Sequence, residues 1–142
     1  NTITIPNNTD ILYIGLSSIG INNNINIGTQ NNLFCKNIDD NLIQIYNMCS
    51  IHGFIICSIK GLLYYQKCFM EDFYKNRIPD ISISQIQPYL NVYALKNPLV
   101  YQSKDFNGWE DATKININII NNNIIPNNLI NNTNISNITI YK

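Results

Sequence analysis

Isoleucine and asparagine dominate this chain, with 29 Ile and 27 Asn among 142 residues, and over long stretches they alternate. Residues 114–126 read Lys-Ile-Asn-Ile-Asn-Ile-Ile-Asn-Asn-Asn-Ile-Ile-Pro. A β-branched side chain is crowded in a helix and packs well on a pleated strand. Asn favours turns and tolerates left-handed backbone. Alternation every second residue places the Ile side chains on one face. The pattern predicts short strands separated by tight polar turns.

A chain of this length suits one domain, residues 1–142, with residues 120–142 as a low-complexity Asn/Ile segment. Position 1 is Asn rather than Met, so a processed product or a fragment of a longer chain is expected. Charged residues make up 13%, the net charge is zero, and Arg77 is the only arginine. A nucleic-acid partner needs a clustered basic surface, which this composition does not supply. The longest apolar candidate, residues 54–65, is interrupted by Ser58, Lys60 and Gly61 and falls short of a membrane span.

Four cysteines, Cys35, Cys49, Cys57 and Cys68, lie in the middle of the chain. An even number allows two disulfides in three pairings. Asn7, Asn131, Asn134 and Asn137 each open an Asn-x-Ser/Thr sequon and are glycosylation candidates. These features predict a secreted or surface-associated glycoprotein. The alternative is a cytoplasmic protein with buried thiols.

Along the chain, strands are predicted at residues 2–6 and 11–16, with residues 20–28 a strand or loop. Asp39 or Asp40 would cap a helix running to Gly53, with Leu42, Ile45, Tyr46 and Cys49 on one face; a strand over 42–46 competes. Residues 54–59 and 62–69 are predicted to pair as a hairpin around Lys60 and Gly61. A short helix is expected over 70–76. Strand signals return in the alternating stretch from Ile81 and at 89–95, 99–102 and 115–119.

Little in the sequence marks chemistry. Cys49-x-x-His52 has the spacing of half a zinc knuckle, but no second half follows, so neither a metal nor a cofactor is assigned. His52 is the sole histidine, and a Cys–His nucleophile would need an exposed, activated thiolate. The adjacent carboxylates Asp39/Asp40, Glu71/Asp72 and Glu110/Asp111 diverge on either kind of element. No catalytic residue is assigned and no enzyme is expected. Tyr89, Tyr93, Tyr101 and Trp109 are candidates for binding a protein partner or a glycan ligand, against the competing reading that they fill a β core.

The expectation is a mainly β fold, a two-sheet β-sandwich with one or two short helices; the alternative is α+β. The expected role is a non-enzymatic structural or interaction module of a secreted, cell-surface or virion assembly, binding protein partners or itself. The alternatives are an intracellular α+β scaffold subunit and a carbohydrate-binding domain.

Overall fold

The computed structural model describes residues 2–17, 19–21, 29–30 and 33–100. The strands are β1 (Ile11–Tyr13), β2 (Ile19–Gly20), β3 (Thr29–Gln30), β4 (Cys35–Asn37), β5 (Leu42–Ile45), β6 (Phe54–Ile56) and β7 (Val92–Leu95). Between β6 and β7 lie helix α1 (Ile59–Lys75), helix α2 (Pro79–Ile86) and a 3₁₀ turn, Gln87–Tyr89. Five strands form one mixed sheet in the order β4-β5-β7-β1-β6, and β2 pairs with β3 separately. β7 runs parallel to β1, with Ile11 opposite Val92, and antiparallel to β5, with Ile43 opposite Ala94.

Strand alternation divides the buried side chains into two sets. Ile11, Tyr13, Ile43, Ile45, Val92 and Ala94 form one core with Tyr65 and Cys68 of α1 and Ile83 of α2. Leu12, Leu42, Tyr93 and Leu95 form the other. The fold is therefore α+β: the layer packed on the first face is helical, where a second sheet was expected.

Three local expectations fail for identifiable reasons. The hairpin around Gly61 is replaced by the start of α1. Ser58 caps that helix, its Oγ accepting from the Gly61 N–H at 2.9 Å. Gly61, Tyr65, Cys68 and Asp72 then form the buried stripe at helical spacing. Gly61 serves close packing here, because a Cβ at that position would lie 2.7 Å from the Asp10 carbonyl oxygen.

After Asp39 the competing strand forms in place of the helix: β5 runs over Leu42–Ile45 and pairs with β4 as a hairpin. The Asp39 side chain accepts from the N–H groups of Asn41 and Leu42 at 2.7 and 2.9 Å, capping a turn instead of a helix. The alternating Ile81-Ser-Ile-Ser segment lies in α2, where Pro79 fits the first turn and Ile83 and Ile86 reach the core. Residues 2–6 join no strand, and Ile3 and Ile5 are exposed. Of the strand expected at 99–102, Val100 makes an isolated parallel bridge to Gly15. The strand at 115–119 and the segment 120–142 lie outside the described residues.

The junction of β1, α1 and β7 is organised by Asp10, which is buried. Its carboxylate accepts from Ser58 Oγ at 2.5 Å and from the Asn91 N–H at 2.9 Å. Its carbonyl accepts from the Cys57 N–H at 2.8 Å. The same residue thus fixes the end of β6 through its carbonyl, and the cap of α1 and the entry to β7 through its side chain. A second link, between the sheet and the helical layer, is the Tyr13–Tyr65 hydroxyl pair at 2.7 Å. Gln87 completes it by bonding both backbone groups of Met48, at 2.7 and 2.9 Å.

Candidate partner-binding surface

Each residue of an α-helix turns the chain by about 100°, so the 17 residues of α1 resolve into faces. One face is the buried stripe of Gly61, Tyr65, Cys68 and Asp72. A second carries Lys60, Lys67, Glu71 and Lys75; Glu71 pairs with Lys67 at 3.8 Å and with Lys75 at 3.5 Å. Between them runs a flank of uncharged residues at positions 59, 62, 63, 66, 69, 70 and 73, on which Gln66 is the only polar side chain. Ile59, Leu62, Phe69, Met70 and Phe73 are 77, 47, 37, 48 and 81% exposed.

Single exposed apolar residues are ordinary, but a contiguous row marks an interaction surface. The row adjoins further exposed apolar groups in the chain. Ile55 and Ile56 precede α1 on β6, an edge strand of the sheet, and Ile78 follows it. The spacing 59, 62, 66, 69, 73 was present in the sequence. A hairpin turn at Gly61 would cut the row in two, which conceals it in the sequence.

At the C-terminal end of α1 the chain reverses through Asn76, whose backbone is left-handed (φ 50°). The N–H groups of Asn76 and Arg77 bond back to the carbonyl of Asp72. Beside this reversal is a depression of about 500 Å³, walled by Phe69, Met70, Phe73 and Pro79. Asn76 and Arg77 also border it, and Asp72 contributes to its lining. Asp72 is only 1% exposed. Its Oδ1 accepts from Ser82 Oγ at 2.6 Å, while Oδ2 has no hydrogen-bond partner among the described residues.

The residues singled out from sequence lie elsewhere. Cys35 is buried on β4 and Cys68 is buried on α1; Cys49 is partly buried and Cys57 is exposed. No disulfide joins the four. Burial pushes the Cys35 thiol up to about 11. Burial, with Asp72 and Glu71 nearby, pushes Cys68 up to about 12. Both thiols are protonated at neutral pH and make poor nucleophiles.

His52 hydrogen-bonds through Nδ1 to Ser50 Oγ. Ser50 is buried, so this contact is a local clamp within a turn and not an accessible nucleophile–base pair. Burial lowers the His52 pKa, an effect that Asp80 partly opposes. Among the described residues no group of three or more His, Cys, Asp or Glu is placed to hold a metal ion.

Tyr93 is buried in the Leu12–Leu42–Leu95 cluster, and Tyr89 is half-buried in the 3₁₀ turn with its carbonyl accepting from Lys60 Nζ at 2.9 Å. Asn7 is exposed in a turn closed by the Thr9 hydroxyl and N–H on the Pro6 carbonyl. Tyr101, Trp109, Asn131, Asn134 and Asn137 lie outside the described residues. No helix among the described residues is long and apolar enough to cross a membrane. No protein-family model, curated protein or solved structure matches this chain.

Proposed function

We propose that this protein is a non-enzymatic interaction module of an assembly, which packs the uncharged flank of α1 against another protein chain, a second copy included. The observation that carries the reading is the exposure of Ile59, Leu62, Phe69, Met70 and Phe73 in one row on a helix whose opposite side is charged. Water gains nothing from that row, and burying it against a complementary apolar surface is favourable at about 25 cal/mol per Å². Leu62 and Phe73, near the two ends of the flank and 47 and 81% exposed, are the natural anchors. The aromatic and apolar content of the row matches the anchors that dominate protein interfaces.

Sedimentation velocity of the purified chain, from micromolar to millimolar concentration, tests the reading. Association that grows with concentration and is abolished by Leu62→Glu and by Phe73→Glu supports it. A monomer across the whole range, or association indifferent to both substitutions, removes the α1 flank as a surface of self-assembly.

A further inference from the structure

The depression beside the α1–α2 reversal combines two features that do not usually coincide. Its walls are apolar and aromatic, from Phe69, Met70, Phe73 and Pro79. Its lining includes Asp72, a residue whose carboxylate is almost wholly buried and has a hydrogen-bond partner on only one of its two oxygens. An ionised carboxylate offers about four acceptor positions, and here one hydroxyl, that of Ser82, occupies one of them. A buried acceptor without a donor is costly, and the cost is removed by whatever brings a donor to it.

From this we propose that the depression is an anchor site for the cationic head of a Lys or Arg side chain on the partner protein, with Asp72 as its counter-charge. The inference rests on the reading of the α1 flank as a protein-binding surface, since it names the side chain a partner places at one end of that flank. The four apolar walls suit the methylene stem of such a side chain. The Phe69 and Phe73 rings suit its charged end, because a cation is attracted to an aromatic face. The reversal is held by the hydrogen bonds of Asn76 and Arg77 to the Asp72 carbonyl, so the backbone behind the carboxylate is fixed. Oδ2 itself is covered, and entry of a head group requires the side chains over it to move. Arg77 borders the same depression, but it makes no ion pair with Asp72 among the described residues, and Lys75, closer in sequence, pairs with Glu71.

The test is an NMR titration of the full ¹⁵N-labelled chain with n-butylammonium and n-butylguanidinium chlorides, against n-butanol and sodium chloride at matched concentration. Saturable shifts of the Asn76 and Arg77 amides at millimolar cation, absent with n-butanol and with sodium chloride, are expected. Asp72→Asn should weaken cation binding by about tenfold or more, the loss of a charge-assisted contact. The comparison of cation with alcohol on the unsubstituted chain decides the matter without depending on the folding of that variant. Equal response to butanol, absence of saturation, or unchanged affinity in Asp72→Asn overturns the proposal. So does binding that appears only in Arg77→Gln, which would show that Arg77 fills the site in the native chain. Cation failure with flank-dependent sedimentation intact removes the anchor and leaves the proposed function standing; the converse result leaves a cation site at the depression but removes its reading as one end of a self-assembling flank.

Discussion

Replacing Gly61 by Ala is the most informative single perturbation, because propensity and packing predict opposite signs. In a helix Ala is favoured over Gly by up to about 1 kcal/mol, and Gly61 stands in the first turn of α1. The added Cβ, however, would sit 2.7 Å from the Asp10 carbonyl oxygen and 2.9 Å from Ile11 Cδ1. The Ile11 methyl can rotate aside. The Asp10 carbonyl cannot move without disturbing its bond from the Cys57 N–H and the carboxylate contacts to Ser58 and Asn91. Overpacking against such a fixed group costs about 3 kcal/mol, the upper part of the usual range. The net expectation is a loss of about 2 kcal/mol, or about 8 °C in Tm for a domain of this size. Urea denaturation followed by circular dichroism measures it, with exposed Gln66→Ala as a control that leaves the midpoint nearly unchanged. A Gly61→Ala variant as stable as the native chain, or more stable, would refute the close approach of α1 to β1.

Three further outcomes follow from the buried groups. Tyr13→Phe strands the Tyr65 hydroxyl and should cost about 1–2 kcal/mol, whereas Tyr13→Phe with Tyr65→Phe should cost less than the sum of the single changes in a double-mutant cycle. Alkylation of the native chain at mildly alkaline pH should label Cys57 first and Cys35 and Cys68 last, with all four reacting alike in urea; rapid native labelling of Cys68 would contradict its burial. Because folding lowers the His52 pKa, the unfolded chain binds the proton more readily. The His52 contribution is therefore fully present above the unfolded value of about 6.5 and is lost as pH falls below it; His52→Gln should flatten that part of the stability profile measured by urea titration at several pH values.

How much of this could be read in the sequence depended on which signal dominated locally. The strands expected at 11–16 and 89–95 contain β1 and β7, apolar runs bounded by turn residues whose hydrophobicity agrees with the burial of both faces. Residues 70–75 of the short helix expected over 70–76 are the last turns of α1, and Asn76 is its left-handed cap. The first turns were missed because Ile, Leu and Tyr favour strands as well as helix cores, and Gly61 satisfies a turn and a tight helix contact equally in one dimension. Ile81 to Ile86 misled for a related reason. Alternation of Ile with Ser mimics a strand, and the deciding observation, that Pro79 opens a helix whose Ile83 meets the core, is a tertiary one. The carboxylate of Asp72 was seen only as one of an adjacent acidic pair. Nothing in its neighbours along the chain indicates that Ser82, ten residues away, meets one oxygen while the other has no hydrogen-bond partner among the described residues.

The order of strands has a consequence for how this sheet comes into being. β7 lies between β5 and β1, and without it the sheet is two separate ladders, β4 with β5 and β1 with β6. Its tie to the β1 entry spans 81 residues, from Asn91 back to Asp10. During synthesis both ladders and α1 emerge first, each with an apolar face that nothing yet joins to its neighbour. Two-stranded ladders of three or four residues are marginal alone. Cooperative closure must therefore wait for residues 92–95, and a nascent chain halted before them would expose both ladders to whatever else is being made nearby.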